Sequence, residues 1–121
     1  MRILVVEDDH KVAGFLEQGL KEEAFDVDCA ADGEQALTMA GAGAYDLIVM
    51  DYMLPKKNGI EVAAEIRSCG KRTPILMLTA RDTPEDMRSG LAAGVNEFMP
   101  KPFRFDDLLD RIRALAPGGE P

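Results

Sequence analysis

Short apolar runs alternate with longer segments of helical period from one end of the chain to the other. The apolar runs predict five β-strands, near residues 2–7, 26–30, 46–51, 74–79 and 96–99. A segment with apolar residues at every third or fourth position follows each run and predicts a helix. This alternation predicts an α/β protein built from five βα units around a parallel sheet.

Three of the helices show which face should turn toward the core. That face carries Val12, Phe15, Leu16, Gly19 and Leu20 in the first helix, Ile60, Ala63, Ala64 and Ile66 in the third, and Phe105, Leu108, Leu109, Ile112 and Leu115 in the last. The first, third and fourth strands are apolar on both faces, which predicts a sheet covered by helices on each side.

Residues that favour helix ends support these boundaries. Asp32 with Gln35, and Asn58 with Glu61, have the spacing of a capping box at the starts of helices two and three. Gly94 stands where a left-handed residue would end helix four.

Composition adds bounds on the class of protein. With 121 residues, of which 46% are hydrophobic and 30% charged, the chain suits one globular domain. Its net charge of −8 argues against a nucleic-acid-binding surface and, by itself, is explained by solubility. There is no apolar run near the roughly 20 residues of a membrane span, no evident signal peptide and no disulfide framework around Cys29 and Cys69. We therefore expect a cytoplasmic protein without membrane contact.

Polar residues follow the predicted strands where the strands end. Glu7 and Asp8 follow strand one, Asp51 ends strand three, Thr79 ends strand four, and Lys101 follows strand five. Parallel strands place their carboxyl ends at one edge of the sheet, so these side chains should share a cleft. Carboxylates that lie close together repel each other, and a hard divalent cation such as Mg²⁺ would relieve that repulsion.

Asp51 is the strongest candidate for the reacting group. A strand-terminal aspartate is often only a helix cap, but no helix is predicted for several residues after this one. A carboxylate fixed on a rigid strand end could act as a nucleophile toward phosphorus and form an aspartyl phosphate. The pattern thus indicates a phosphoryl site without a glycine-rich nucleotide loop.

The other members of the set are weaker signals when taken singly. Asp9 could cap helix one, which would leave Glu7 and Asp8 to ligate Mg²⁺ directly or through its waters. The Thr79 hydroxyl could bond a phosphoryl oxygen, and the Lys101 ammonium could neutralise it as a point charge. The bond from Lys101 to the proline that follows is a candidate for the cis form. His10, the one histidine, should be exposed and without a catalytic role.

Taken together, these motifs resemble the receiver domain of bacterial two-component response regulators. The residues that carry the resemblance are Ile3–Asp9 (ILVVEDD), Asp51–Gly59 (DYMLPKKNG), Leu78–Asp82 (LTARD) and Lys101–Phe103 (KPF). It covers residues 1–116, with 117–121 left as a linker-like tail. It implies a doubly wound sheet of order 2-1-3-4-5, with helices one and five on the same face.

The resemblance also implies a role for each site residue. Asp51 matches the phosphoacceptor, Asp8 a direct Mg²⁺ ligand and Glu7 an acid that acts through water, while Met53 would offer the metal its backbone carbonyl. Thr79 and Lys101 match the switch hydroxyl and the phosphate-binding lysine, and Phe98 matches the aromatic switch position. The phosphodonor would be a sensor histidine kinase, and the domain would assist its own phosphorylation and dephosphorylation without acting on outside substrates.

The output is less closely defined by the sequence. The chain is most similar to receivers joined to a C-terminal winged-helix DNA-binding domain, which implies transcription regulation. In that subfamily, helix four, strand five and helix five form a dimer face. Glu97 and Arg111 match one of its charged pairs, but Met87 stands where a basic residue is usual, and Ala93 and Asn96 stand where acids are common. We expect a monomer, or a weak dimer that depends on phosphorylation.

Three alternatives remain open at this stage. A nucleotide- or flavin-binding module would need glycines after strand one, where the chain has Glu7 and Asp8. An aspartate-nucleophile phosphatase would need a second acid where Met53 stands. A docking domain that is never phosphorylated would not need Asp8, Asp51, Thr79 and Lys101 together.

Overall fold

The structure, a computed structural model, describes residues 1–80 and 83–115. Its strands are β1 (Arg2–Val6), β2 (Asp26–Ala30), β3 (Leu47–Asp51), β4 (Ile75–Thr79) and β5 (Glu97–Pro100). Its helices are α1 (His10–Glu22), α2 (Gly33–Ala42), α3 (Gly59–Ser68), α4 (Pro84–Ala93) and α5 (Phe105–Leu115). The five βα units predicted from the pattern are confirmed, and each strand agrees with its predicted range to within one residue at either end.

The sheet is parallel throughout, and its strand order is β2-β1-β3-β4-β5, as predicted. β1 pairs with both β2 and β3, so the chain reverses its direction of travel across the sheet between them. This reversal is the topological switch point, beyond which ligands bind in open α/β sheets. The ends of β1 and β3 therefore frame the place where a site is expected.

Helices cover both faces of the sheet. On one face α1 and α5 bury Leu16, Leu20, Leu108, Leu109 and Ile112 against the strands. On the other face α2 and α3 bury Ala36, Ala40, Val62, Ala63 and Ile66. β3 and β4 are buried along their whole length, and β1 is buried after its first residue, because each lies between two strands and two layers of helix.

Two residues predicted to face the core do not. Phe15 is 58% exposed, and its ring meets the Phe105 ring in a T-shaped contact with 5.7 Å between ring centroids. Ala64 is exposed, and Val62 takes the buried place on α3 instead. The helical period explains this second error, since a residue two positions after Val62 is turned about 200° away from it.

The helix ends were predicted with one partial error. Asn58 and Glu61 form a complete capping box, each side chain accepting from the other's backbone N–H at 2.9 Å. Asp32 accepts from the Gln35 N–H as expected, but the Gln35 side chain accepts from Ala31 N, one residue before the cap. Gly94 ends α4 with a φ of 105°.

Some of the predictions concern residues that the structure does not cover. Arg81 and Asp82, in the LTARD motif, and the tail at 117–121 lie outside the described residues. Within the described ranges, no helix has the length and apolarity needed to cross a membrane.

Gly14 in α1 gives a test of helix stability that is independent of any function. A Cβ at Gly14 would meet nothing within 4 Å, so the glycine costs helix stability without a packing reason. We expect Gly14→Ala to raise the free energy of unfolding by roughly 0.5–1 kcal/mol, measured by urea denaturation. Gly19→Ala in the same helix is the matched control, because its Cβ would lie 2.6 Å from the Phe105 ring and should lose this gain. Equal effects of the two changes would contradict the packing argument.

Candidate functional site

Asp51 is held rigidly at the carboxyl end of β3. It is the last residue of the strand and is 4% exposed. Immediately after it, Tyr52 donates its N–H to Leu78 O at 2.9 Å and accepts at its own carbonyl from Gly59 N at 2.8 Å. The backbone around the carboxylate is thus tied to β4 on one side and to the start of α3 on the other.

Gly59 is needed for this return of the chain. A Cβ at Gly59 would lie 2.8 Å from the Asp51 carbonyl oxygen and 2.8 Å from Cε of Met77. Contact with backbone at that distance cannot be relieved by a rotamer change. The glycine of the DYMLPKKNG motif therefore has a steric role in placing Asp51, which the sequence pattern alone did not reveal.

Three carboxylates meet at this edge of the sheet. Glu7, Asp8 and Asp51 each offer an oxygen, and the three oxygens lie within 4.8 Å of one another. Glu7 is 4% exposed, whereas Asp8 is open to solvent. The predicted grouping of these acids across β1 and β3 is what the sheet order requires.

The carboxyl group of Glu7 is buried and only partly hydrogen-bonded. Its Oε2 accepts from Asp9 N at 3.1 Å, while its Oε1 is buried and has no hydrogen-bond partner in the part of the chain that the structure describes. The pKa of Glu7 is raised from 4.5 to about 7. Burial is the largest cause, and repulsion from Asp51 and Asp8 acts in the same direction, while the Asp9 N–H and Lys101 lower the pKa. The site thus concentrates negative charge that the protein compensates only in part.

The neighbours of the acids have structural roles. Asp9 caps α1, where its side chain accepts from the backbone N–H groups of Lys11 and Val12, as predicted. His10 begins the helix and is exposed.

Lys101 supplies the cation of the site. Its Nζ lies 2.7 Å from Oδ1 of Asp51, and its backbone N–H donates to Thr79 O at 2.9 Å. The bond from Lys101 to Pro102 is cis, as the sequence suggested. Thr79 ends β4, one residue beyond the partner of Asp51 in the strand register, and is 2% exposed. Residues from the ends of β1, β3 and β4 and from the segment after β5 therefore lie at the same edge of the sheet.

Two further predicted residues lie at the margin. The side chain of Met53 is 64% exposed, two residues after Asp51. Phe98 is half-buried on β5, where it pairs with Met77 and packs against the core on the α2–α3 face. The structure thus places Phe98 beneath the helix layer and not in the acidic cleft.

The donor atoms fit a magnesium ion. They are carboxylate oxygens, which hard divalent cations prefer, and Oε1 of Glu7 is a buried oxygen that still needs a partner. Among the described residues, Glu7, Asp8 and Asp51 carry three negative charges when all are ionised, and the ion pair with Lys101 balances one of them. A divalent cation would balance that excess.

Comparison with known proteins identifies the class. The model of the response regulator receiver domain matches residues 3–113, and the chain belongs to this family. The resemblance inferred from the strand-end motifs is therefore confirmed.

Individual relatives show how far the likeness extends. The chain is 44% identical over 115 residues to the response regulator MprA of Mycobacterium avium, covering 95% of this chain and 50% of MprA. It is 44% identical over 119 residues to the transcriptional regulatory protein TcrA of Mycobacterium tuberculosis, covering 98% of this chain and 47% of TcrA. The chain thus spans about half the length of the curated relatives it matches.

A solved structure gives the same fold. The response regulator TrrA of Thermotoga maritima, in complex with Mg²⁺ and BeF, is 38% identical with a TM-score of 0.84, covering 94% of this chain and 97% of TrrA. This chain is a receiver domain of the two-component response regulator type.

The ion pair between Lys101 and Asp51 can be tested by its effect on stability. We expect Lys101→Met to lower the free energy of unfolding by about 1–3 kcal/mol in EDTA at pH 8, because it leaves the nearly buried Asp51 beside two other acids. The effect should be smaller than for a fully buried pair, since the Lys101 side chain is 31% exposed.

A double-mutant cycle isolates the pair in this test. In an Asp51→Asn background, Lys101→Met should cost much less, because the charge that it compensates is gone. Lys11→Met, an exposed lysine on α1, is the matched control and should change stability by no more than about 0.5 kcal/mol. An equal loss with and without Asp51 would refute the pairing.

Proposed function

We propose that this domain carries a phosphorylation signal by accepting a phosphoryl group on Asp51. The observation that supports it is the placement of one nearly buried carboxylate on a strand end, 2.7 Å from a lysine ammonium and within 4.8 Å of two further acids. An Asp51 oxygen attacks phosphorus and forms an acyl phosphate. The P–N bond of a phosphohistidine breaks, and its electron pair stays on the imidazole nitrogen.

Each site residue has a separate proposed role toward the phosphoryl group or the metal ion. Lys101, already beside Asp51, is positioned to neutralise a phosphoryl oxygen as a point charge. Thr79, at the end of the neighbouring strand β4, donates a hydrogen bond from its hydroxyl to the phosphoryl group on Asp51. Glu7, Asp8, Asp51 and the Met53 backbone carbonyl are the groups proposed to hold Mg²⁺, with Glu7 acting through water. When bound, Mg²⁺ offsets the charge on the phosphoryl oxygens and on the attacking carboxylate.

The proposed partners follow from the class and its relatives. The phosphodonor is a sensor histidine kinase, and the reaction takes place in the cytoplasm. The domain promotes its own phosphorylation and dephosphorylation and is not an enzyme for outside substrates. MprA and TcrA are about twice the length of the matched region. By that likeness, the signal passes to a C-terminal DNA-binding effector domain and regulates transcription.

The proposed switch links the phosphoryl group to the opposite margin of the sheet. Phosphorylation draws the Thr79 hydroxyl toward Asp51, and Phe98 changes position and reshapes the face formed by α4, β5 and α5. A ligand can shift such an equilibrium only by its different interaction with the two states, which here is the bond to Thr79.

Phosphorylation of Asp51 can be tested by intact-mass analysis. Acetyl phosphate with Mg²⁺ should add one phosphoryl group, as the P–O bond to acetate breaks, and EDTA should suppress the reaction. Asp51→Asn should abolish the adduct, and Asp8→Ala should slow its formation because a proposed Mg²⁺ ligand is lost.

Asp9→Asn is the matched control for this experiment. It changes an adjacent carboxylate that is already used as a helix cap, and asparagine caps equally well, so labelling should equal that of the parent. Full labelling of Asp51→Asn would show that another residue is the acceptor.

The dimer prediction follows from the α4–β5–α5 face. Glu97 and Arg111 bond to each other within one chain, and Arg111 also donates to Phe98 O at 3.2 Å. Pairs across a dimer would have to compete with these bonds. We expect sedimentation velocity to show a monomer without beryllofluoride and at most a weak dimer with it. A tight dimer before beryllofluoride is added would contradict the proposal.

A further inference from the structure

Helix α4 is attached to the rest of the domain by a narrow strip of residues. Of its residues, all of them described, Gly90 is buried, and Asp86 and Ala93, four positions before and three after it, are half-buried. The large apolar residues Met87 and Leu91 are 37% and 55% exposed. The inward face of α4 therefore offers little side-chain volume, and its one fully buried residue is a glycine.

The Phe98 ring fills the space that Gly90 leaves. A Cβ at Gly90 would lie 2.2 Å from Cζ of Phe98, 2.9 Å from Cε2 and 3.2 Å from Cε1. Gly90 is not among the glycines with positive φ, so its backbone does not require glycine. A glycine inside a helix lowers helix stability relative to alanine. The three atoms nearest to such a Cβ all belong to the Phe98 ring, so the ring accounts for a glycine at this position.

In the contact with Gly90, the backbone of Phe98 is held in place, while its ring can adopt other rotamers. The backbone of Phe98 is held by pairing with Met77 on β4 and by the bond from Arg111 to its carbonyl. The atoms that meet Gly90 are at the tip of the ring, which other rotamers would carry elsewhere. A methyl group at position 90 would therefore displace the ring and would not block the strand.

Phe98 also lies on the strand that leads to the site. Lys101 follows it by three residues and binds the Asp51 carboxylate directly. The ring thus rests against α4 in the same arrangement in which Lys101 pairs with a free Asp51. Ring position and site are joined by one short segment of β5.

We propose that Gly90 is a positioning residue of the switch. Its missing side chain admits the Phe98 ring beneath α4, and this Gly90–Phe98 contact favours the arrangement in which Asp51 is unmodified. A methyl group at position 90 disfavours that arrangement and shifts the domain toward its phosphorylated form. The inference rests on the proposed phosphorylation of Asp51 and adds the residue that sets the balance of the switch.

A stability cycle tests the contact without any phosphoryl chemistry. The variants are Gly90→Ala, Phe98→Leu and the double change, with Gly14→Ala as the matched control for glycine-to-alanine exchange in a helix. Leucine lacks the ring-tip atoms that meet position 90. We expect Gly90→Ala to raise the urea midpoint less than Gly14→Ala does in the parent, and as much as Gly14→Ala does in the Phe98→Leu background.

Beryllofluoride binding tests the effect on the switch. Gly90→Ala should bind beryllofluoride with Mg²⁺ roughly five-fold more tightly than the parent. The reason is that the added methyl group destabilises the unmodified arrangement, so the change to the beryllofluoride-bound arrangement costs less free energy. NMR spectra of metal-free Gly90→Ala should show the Phe98 ring and α4 amides displaced toward their positions in the beryllofluoride-bound parent. Gly14→Ala should leave affinity and these signals unchanged, and Phe98→Leu should remove the effect of Gly90→Ala.

The outcomes separate this proposal from the proposed function. Equal behaviour of Gly90→Ala and Gly14→Ala, or an unchanged or weaker affinity in Gly90→Ala, overturns the role of Gly90. If Gly90→Ala does not fold, recovery of folding by Phe98→Leu supports the contact, and failure to recover overturns it. If the parent itself binds no beryllofluoride, the proposed function fails, while the stability cycle still decides whether Gly90 positions the ring.

Discussion

The site depends on a charge imbalance that the parallel sheet imposes. Three carboxylate oxygens lie within 4.8 Å of one another, and like unit charges at that separation repel by roughly 3–4 kcal/mol at an effective dielectric of about 20. Lys101, at 2.7 Å from Asp51, attracts by about 6 kcal/mol on the same scale, which offsets part of the repulsion among three pairs. The fold cannot relax the remainder by separating the acids, since Glu7 and Asp51 are fixed by adjacent strands. A divalent cation would offset that remainder.

The two sides of the site differ in how tightly their elements are packed. β1 and β3, whose ends place the acids, are buried between helices on both faces, and Gly59 donates its N–H to the Tyr52 carbonyl, which ties the start of α3 to the residue after Asp51. On the other side of the site, α4 buries a glycine and leaves its large apolar residues exposed. Moving the central strands would disrupt both layers of the core, whereas moving α4 would disturb fewer buried side chains.

Most of the fold and the centre of the site could be predicted from the sequence, because both depend on periodicity and strand-end position. Polar residues such as Asp51 and Thr79, each directly after an apolar run, together indicated the carboxyl edge of a parallel sheet. The errors arise where tertiary packing decides. Phe15 satisfies the helical period, yet it stays 58% exposed beside Phe105, and the Gln35 side chain bonds to the residue before the expected cap. Gly90 had no signal in the sequence beyond being a glycine within a helix, since its contact with Phe98 depends on how α4 packs against β5.

Gly14 and Gly90 show why a glycine within a helix is an ambiguous signal in a sequence. Both interrupt a helix, and both should weaken it by similar amounts. Only the structure distinguishes them, because one faces open space and the other faces a ring at 2.2 Å from its absent Cβ. Gly90 weakens α4, and the Phe98 ring fills the space that this glycine leaves. The position of the helix therefore depends on the position of that ring. Since the ring belongs to the strand that carries Lys101 to Asp51, the same defect that costs helix stability provides a physical route from the site to the outer face of the domain.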